Sequence, residues 1–408
     1  MGQRQAWLKY ALSGLLIAAA LAACQDASAP DDPRGLTWPE LERTARGAAV
    51  YLAMWTGDAA INRYMRERIT PRLRERYNID LHIVPAQGDI PALLANELAA
   101  GQQRSHLDLV WINGETFYKL RQLGALYGPF TDALPNNVYV DWRNPRIAQD
   151  FQQNVDGFEA PWGTVQLLLI VDGARLSQPP QDAQALAEWI LAHPGRFTFD
   201  TAFTGLSFMK SIAIALMDDR NALAGPFDET RYQQARERLF TWLQRVRPAL
   251  WRKGETFPRD VAQLHQLFAS GEIDFTMCMN DGEVENKIAN GLFPDSAKAY
   301  ALSTGTIANS HYLGIVARAP HKAAAMVVIN ELLSPEAQYE KQQPAIWGDG
   351  TVLDIARLPP PWPERFLAIA ARAHAPARAE LAHRALAEPA AEVMIRLEQD
   401  FRAHFLSD

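Results

Sequence analysis

Polar side chains that could hold a ligand follow several apolar runs of this sequence. The run at 107–112 ends at Asn113, Gly114 and Glu115, which supply an amide, a tight turn and a carboxylate. Open α/β sheets bind ligands in the crevice beyond the carboxyl ends of their strands. The alternative is an ordinary strand-to-helix turn in which Asn113 or Thr116 caps the next helix. The tripeptide alone leaves both interpretations open.

The segments that would position these residues alternate between strand and helix patterns. Three apolar strand patterns are separated by short helical stretches, at 48–55, 79–84 and 107–112. This alternation predicts a parallel, doubly wound sheet. A polar, proline-rich passage then leads to a long strand pattern at 160–171, which we interpret as a crossover into a second α/β unit.

Composition and charge agree with two globular domains. A chain of 408 residues is longer than one hydrophobic core usually organises. Hydrophobic residues make up 48% and charged residues 21% of the chain. A net charge of -7 argues against a nucleic-acid binder, which normally carries a basic patch.

The N-terminus has the pattern of an export signal. Arg4 and Lys9 precede a short apolar run that ends in small residues at Ala23. This run is shorter than the roughly 20 apolar residues that span a bilayer, so we predict a cleaved signal peptide at 1–23.

The four residues that end this signal resemble the lipobox of bacterial lipoproteins. They read Leu-Ala-Ala-Cys and close on Cys24. The resemblance implies that Cys24 is lipidated and becomes the first residue of the mature protein, and that the chain is anchored to a membrane on its extracytoplasmic, or periplasmic, side. The alternative is plain secretion with Cys24 as a chance residue. Residues 24–37 contain three Asp, two Pro and one Gly and are predicted to be a tether.

Motifs for catalysis, metals and cofactors are missing from the sequence. None of the nine histidines stands three to five residues from another, so a helical zinc motif is excluded. Phosphate-loop, nucleophile-elbow and dinucleotide fingerprints are also lacking. We therefore predict no catalytic residues, no metal and no cofactor. One enzyme alternative remains, a lipid-anchored hydrolase that uses paired carboxylates such as Glu115 and Asp281.

Several features together resemble the solute-binding proteins of bacterial ABC importers. They are the export signal, the two α/β units, the crossover at Pro161-Trp-Gly-Thr-Val165 and the late segment Leu332-Leu-Ser-Pro-Glu-Ala-Gln338. The last of these is the most specific. The Trp-Ile-Asn-Gly-Glu stretch at 111–115 resembles the YnjB-like group within that superfamily.

The resemblance implies a two-lobed, periplasmic-binding-protein-like (Venus flytrap) fold of type II. Each lobe would be a doubly wound, mainly parallel sheet flanked by helices, and the lobes would close on a small solute by a hinge motion. We expect the chain to pass between lobes more than once. The predicted boundaries are 38–164 plus 300–333 for the first lobe and 165–299 plus 334–408 for the second.

The resemblance also implies a site between the lobes, built from loops at strand ends. The predicted ligand-binding residues are Trp55, Thr56, Gly57, Asp58, Asn113, Gly114, Glu115, Trp162, Gly163, Thr204, Gly205, Asn280, Asp281, Glu283, Tyr312 and Trp347. Aromatic faces beside carboxylates favour a cationic or ring-bearing organic solute. The alternative for each residue is a core or helix-capping role, and Gly205 could instead hold an anion at a helix start.

The implied partners follow from the importer. The closed form would deliver its solute to permease subunits in the inner membrane, which are driven by a separate ATPase. We expect a monomer, a membrane contact through the N-terminal lipid, and no nucleic acid.

Overall fold

The computed structural model describes residues 32–86 and 89–406. The predicted signal peptide, Cys24 and most of the tether lie outside these residues. In the part of the chain that is described, no helix combines the length and the apolar character needed to cross a bilayer.

Strands and helices alternate along most of the chain. The strands are β1 Ala49–Met54, β2 Asp80–Pro85, β3 Leu109–Ile112, β4 Leu126–Tyr127, β5 Gln149–Asp150, β6 Gln153–Asn154, β7 Glu159–Gln166, β8 Leu168–Asp172, β9 Phe275–Cys278, β10 Ala297–Tyr300, β11 Thr306–Val316 and β12 Ala385–Ala387. The α-helices are Trp38–Ala45, Ala59–Tyr64, Thr70–Tyr77, Ile90–Ala99, Thr116–Gln122, Pro145–Ala148, Ala183–Ala192, Phe203–Ala215, Glu229–Val246, Val261–Ala269, Glu283–Ala289, Lys322–Leu332, Pro335–Gln342, Trp362–Leu367, Arg378–His383 and Ala391–Phe405.

The larger sheet has the strand order β12-β11-β3-β1-β2, and β4 and β7 also pair with β11. Strands β1, β2 and β3 are parallel, as the βαβ pattern predicts. Strand β11 runs antiparallel to β3, with Tyr312 opposite Ile112 and Leu313 opposite Trp111. The carboxyl end of β3 therefore lies beside the middle of β11, where the chain carries polar residues.

The smaller sheet differs from the predicted parallel arrangement. Its order is β10-β8-β9, and both neighbours run antiparallel to β8. The physical reason is the connection from β8 to β9, which spans about 100 residues and several helices. Only a short helical crossover forces the next strand to be parallel, whereas a connection of this length can return from either end of the sheet.

Two hydrophobic cores accompany the two sheets. The first contains Leu52, Val110 and Ile315, and the second contains Leu169 and Met277. The chain passes from one to the other where β7 meets β8, within β11, and again between residues 366 and 381. In addition, Phe151 packs in the second core, although Ile147 and Val155 on either side of it belong to the first.

Residues 334–367 pack on the first core, whereas the predicted boundaries place all of 334–408 in the second lobe. Ala337, Val352 and Phe366 belong to the first core. Ser334 caps the helix Pro335–Gln342 directly after the helix Lys322–Leu332, so the chain turns back onto the same core. The hydroxyl of Tyr64 donates to the carbonyl of Ala337 and holds it there. Only the later helices reach the second core, which contains Leu381, Ala391 and Phe401.

Candidate functional site

A cavity of about 780 Å³ lies between the two cores. Trp55, Trp111 and Trp347 contribute from the first core and Phe203 and Met394 from the second. The volume falls in the usual range for small-molecule sites, roughly 300–1,000 Å³. Each core, with the sheet and helices that pack on it, forms one body of the protein. A cavity wall built from both bodies would change shape if they moved relative to each other.

Nine of the predicted residues line this cavity: Trp55, Asp58, Asn113, Gly114, Glu115, Thr204, Asn280, Glu283 and Trp347. Most follow the ends of strands or begin a helix, which is the placement that the strand-end argument predicts. Gly114 adopts a left-handed conformation with φ of 60°, so it makes the tight turn after β3. Its contact with solute stays a prediction.

Seven predicted residues do not line the cavity: Thr56, Gly57, Trp162, Gly163, Gly205, Asp281 and Tyr312. Trp162 is fully buried and packs with its ring centroid 5.1 Å from that of Trp111. The hydroxyl of Tyr312 lies within hydrogen-bond distance of three backbone carbonyls, at 3.1 to 3.2 Å. Both rings are therefore structural.

Contacts within the protein account for the glycines, Thr56 and Asp281 of this set: close packing for the glycines, a backbone hydrogen bond for Thr56 and ion pairs for Asp281. A Cβ at Gly205 would lie 1.7 Å from the carbonyl oxygen of Asp200, and one at Gly163 would lie 1.9 Å from Oδ2 of Asp349. Asp281 pairs with Arg372 and Arg378. Gly57 lies against the ring of Trp55, and the carbonyl of Thr56 accepts from Asn62.

Asp58 joins the two bodies through an ion pair. Its carboxylate caps the helix Ala59–Tyr64 by accepting from the N–H groups of Ala60 and Ile61 at 2.7 and 3.0 Å. The same carboxylate pairs with the ammonium of Lys287 from the second body. Lys287 also lies 3.4 Å from Glu283.

Glu283 is held ionised at this junction. Burial acts to raise its pKa, but Lys287 and His265 outweigh burial and lower the pKa to about 2. The Nε2 atom of His265 lies 2.9 Å from the carboxylate. The negative charge of Glu283 is thus already balanced by protein groups.

The loop 347–349 is the second junction between the bodies. The carbonyl of Trp347 accepts from Nδ2 of Asn280 at 3.1 Å and from Nδ2 of Asn286 at 2.7 Å. A Cβ at Gly282 would lie 2.6 Å from Cα of Gly348, so the two backbones touch. The Trp347 ring therefore reaches the cavity from a loop that both bodies support.

Strand β11 supplies residues of the candidate site that are not among those predicted from the sequence. Asn309 and His311 lie two positions apart on one face of the strand, and both line the cavity. Trp111 on β3 lies beside them, with its ring centroid 4.9 Å from that of His311. The signal that could have found them is a run of polar residues within an otherwise apolar strand, at 309–311.

Asp349 and Lys341 form a buried ion pair behind His311. The ammonium of Lys341 lies 2.5 Å from Oδ2 of Asp349, and Nε2 of His311 lies 3.0 Å from the same oxygen. Burial acts to raise the pKa of Asp349, but Lys341 and His311 hold it below its usual range. Asp349 is therefore an ionised carboxylate that accepts hydrogen bonds.

The geometry does not support carboxylate catalysis by Glu115 and Asp281. Glu115 forms an ion pair with Lys119 at 2.8 Å, and Asp281 lies outside the cavity with its two arginines. The two groups do not face a common space. Within the described residues, no group of three or more His, Cys, Asp or Glu side chains is arranged to hold a metal ion.

The arrangement of two bodies is that of periplasmic binding proteins. AfuA from Actinobacillus pleuropneumoniae, solved with exogenous fructose-6-phosphate bound, superposes with a TM-score of 0.61 at 13% identity over 88% of this chain and 98% of that chain. Iron-bound HitA from Pseudomonas aeruginosa gives a TM-score of 0.57 at 16% identity over 86% and 99%. At these identities the likeness establishes the fold.

The family follows from the sequence itself. Residues 71–367 match the family described as bacterial extracellular solute-binding protein. Protein YnjB of Escherichia coli (strain K12) is 37% identical over 327 residues, which are 79% of this chain and 84% of that protein. The chain belongs to the family of bacterial extracellular solute-binding proteins. This confirms the predicted superfamily, the two-lobed fold and the non-enzymatic, exported class of protein, and it leaves the hydrolase alternative without support.

Proposed function

We propose that this protein captures a small organic solute between its lobes and delivers it to the permease of an ABC importer, which a separate ATPase drives. The observation that carries the proposal is the cavity of about 780 Å³ whose walls come from both hydrophobic cores. A binding site divided between two bodies couples solute binding to their relative position. The permease can then distinguish the loaded from the unloaded protein.

The lobes are proposed to follow the two cores. The first would comprise residues 32–166 and 308–367, and the second 167–307 and 378–406. Support comes from the residues of each core and from the points at which the chain passes between them. Three crossings, at 166–168, at 306–308 and at 367–378, would then act as the hinge. The backbone of these segments would absorb the rotation.

The residues proposed to contact solute are those at which the walls converge. They are the nine lining residues named from sequence together with Trp111, Asn309, His311 and Asp349. Solute that bridges both walls stabilises the closed arrangement only by the contacts it gains there. Asn113 and Glu115 would act from the first lobe, and Thr204 and Asn280 from the second.

The proposal includes a lipid tether at Cys24 and a monomeric protein. The Leu-Ala-Ala-Cys ending of the apolar N-terminal run supports lipidation. Replacing Cys24 by serine is expected to release the protein from the membrane fraction of its host. Fractionation followed by mass spectrometry of the mature N-terminus measures this. A Cys24→Ser protein whose signal peptide is cleaved and that nevertheless stays in the membrane fraction would contradict the lipid tether.

The experiment that tests capture has two readouts. The purified protein is denatured, any released small molecule is identified by mass spectrometry, and that molecule is added back to refolded protein. We expect a raised melting temperature and a smaller radius of gyration in X-ray scattering. The double variant Asn113→Ala, Glu115→Ala should fold but bind more weakly. Solute that is chemically altered after incubation, or that binds without any compaction, would overturn the proposal.

A further inference from the structure

Four buried polar atoms of residues that line the cavity lack a protein partner. They are Nε1 of Trp111, Oδ1 of Asn309, Nδ1 of His311 and Oδ1 of Asp349, and none of the residues in 32–86 and 89–406 offers a hydrogen bond to them. Their residues are 9%, 5%, 4% and 1% exposed, and all four line the cavity. We call this set the polar floor. Buried polar groups normally have partners, so these four atoms indicate the chemistry of the ligand.

The amide of Asn309 is oriented by a buried network behind it. Its Nδ2 donates to Oε2 of Glu388 at 2.8 Å, and Glu388 in turn pairs with the ammonium of Lys210. A carboxylate paired with lysine accepts hydrogen bonds, so the NH₂ group must be the one that faces Glu388. The oxygen of Asn309 is therefore the atom left for a ligand, and it can only accept.

The ring of His311 is oriented in the same way. Oδ2 of Asp349 already accepts from Lys341, so the contact with Nε2 of His311 at 3.0 Å requires a proton on Nε2. Nδ1 is then an acceptor in the neutral ring and a donor in the protonated ring, so His311 imposes no charge on the ligand. Oδ1 of the same Asp349 carboxylate is a further acceptor. The indole N–H of Trp111 is the donor of the set.

The charges around the cavity disfavour an anionic ligand. Seven carboxylates line it, against three basic side chains. Lys287 and Lys341, which lie outside the lining, pair with Asp58, Glu283 and Asp349, and an excess of carboxylates remains. Each of the three lining bases already has an acidic partner: Lys119 pairs with Glu115, Arg259 with Asp260 and Arg402 with Glu398. An anion would have to compete with these carboxylates and would also meet two acceptor atoms on the floor, Oδ1 of Asn309 and Oδ1 of Asp349.

We propose, on the basis of the function proposed above, that the solute is a nitrogenous organic molecule. It presents an amino or amidine-type group to Asn309 and Asp349, and places an acceptor atom against the indole N–H of Trp111. Its apolar body lies against the aromatic and methionine side chains of the walls. Sugar phosphates, carboxylic acids and other anions are excluded from the floor by the same atoms.

The first test compares ligands that differ only in this group. Benzamidine and benzoate have the same ring and nearly the same shape but opposite charge, and 2-aminopyridine and 2-hydroxypyridine differ in the exocyclic group. The melting temperature of the mature protein is measured with each, alongside the molecule released from the protein as isolated. We expect a positive shift with the amidine and amine, none with benzoate, and a released molecule that contains amine or amidine nitrogen.

The second test removes the floor acceptor. Asn309→Ala is expected to weaken the dissociation constant of the nitrogenous solute about tenfold, the effect of one good hydrogen bond in a dry site. Asn290→Ala is the matched control because Asn290 is exposed and lies outside the cavity lining. It should leave binding unchanged.

The outcomes separate the two proposals. A released anion, or benzoate binding as well as benzamidine, overturns the nitrogenous class but leaves solute capture intact. Equal binding by Asn309→Ala and the control, with the fold preserved, also overturns it. If no molecule is released and none of the probes binds or compacts the protein, solute capture fails and the inference fails with it.

Discussion

The ion pair between Lys287 and Asp58 offers a direct test of how the two lobes are held together. Lys287 lies on the helix Glu283–Ala289 of the second body, and Asp58 caps a helix of the first. Both side chains are nearly buried, at 14% and 8% exposed. Replacing Lys287 by methionine keeps most of the side-chain volume and removes the charge.

The expected free-energy cost of replacing Lys287 by methionine lies between two known limits. An exposed ion pair contributes about 0–1 kcal/mol, and removing one partner of a buried pair costs about 3–5 kcal/mol. Asp58 would keep its two backbone N–H donors and Glu283 would keep His265, so neither carboxylate is left bare. We therefore expect about 1.5 kcal/mol, which corresponds to a dissociation constant roughly tenfold weaker for whatever solute the protein releases.

The assay is a double-mutant cycle on solute affinity. Asp58→Asn is the second variant because asparagine is also a good helix cap and so preserves the helix start. Lys298→Met, at an exposed position, is the control for loss of a positive charge. We expect a coupling energy of about 1 kcal/mol. If the sum of the two single-variant effects on binding free energy equals the double-variant effect to within about 0.3–0.5 kcal/mol, the ion pair does not hold the lobes together and the prediction is refuted.

Three further variants test the structural roles assigned above. Gly205→Ala should destabilise the fold by about 3 kcal/mol in urea unfolding, because the new Cβ would meet the carbonyl of Asp200 at 1.7 Å; full stability would contradict that contact. Tyr312→Phe should lower the free energy of unfolding by about 1 kcal/mol with unchanged solute affinity, since its hydroxyl bonds to the backbone; a large affinity loss would make it a ligand residue. Asp150→Asn should raise the melting temperature at pH 7. Burial, and after it the charge of Glu388, raise the pKa of Asp150 well above its usual range, so ionisation of this carboxyl destabilises the fold as pH rises. That gain should vanish below about pH 4, where the unfolded carboxyl is also protonated, and a gain that persists there would refute it.

The strand ends were predictable from sequence because their pattern is local. An apolar run that stops at Asn113-Gly114-Glu115 predicts both the end of a buried strand and the turn that follows it. The structure has β3 ending at Ile112 and Gly114 in the left-handed conformation that a turn requires. The same local pattern at the end of β1 predicted Trp55 and Asp58 as site residues, and both line the cavity.

Assignment to a lobe was less predictable because it depends on partners distant in sequence. The apolar stripe of a helix says that it packs on a core but not on which one. Ala337 and Phe366 pack on the first core, while Leu381 and Phe401, from the same C-terminal part of the chain, pack on the second. Nothing in their spacing distinguishes the two pairs.

The polar floor shows why binding chemistry is harder still to derive from sequence. Asn309 and His311 lie within a strand that is buried along its whole length. The side chain that hydrogen-bonds to each of them from behind determines which of its own polar atoms is left for a ligand. Glu388, distant in sequence, turns the Asn309 oxygen toward the cavity, and Asp349 does the equivalent for the His311 ring. A different partner behind either residue would reverse donor and acceptor while the residue stayed the same. The proposed specificity of this site therefore resides as much in Lys210, Glu388 and Lys341, which lie behind the cavity wall, as in the residues that line it.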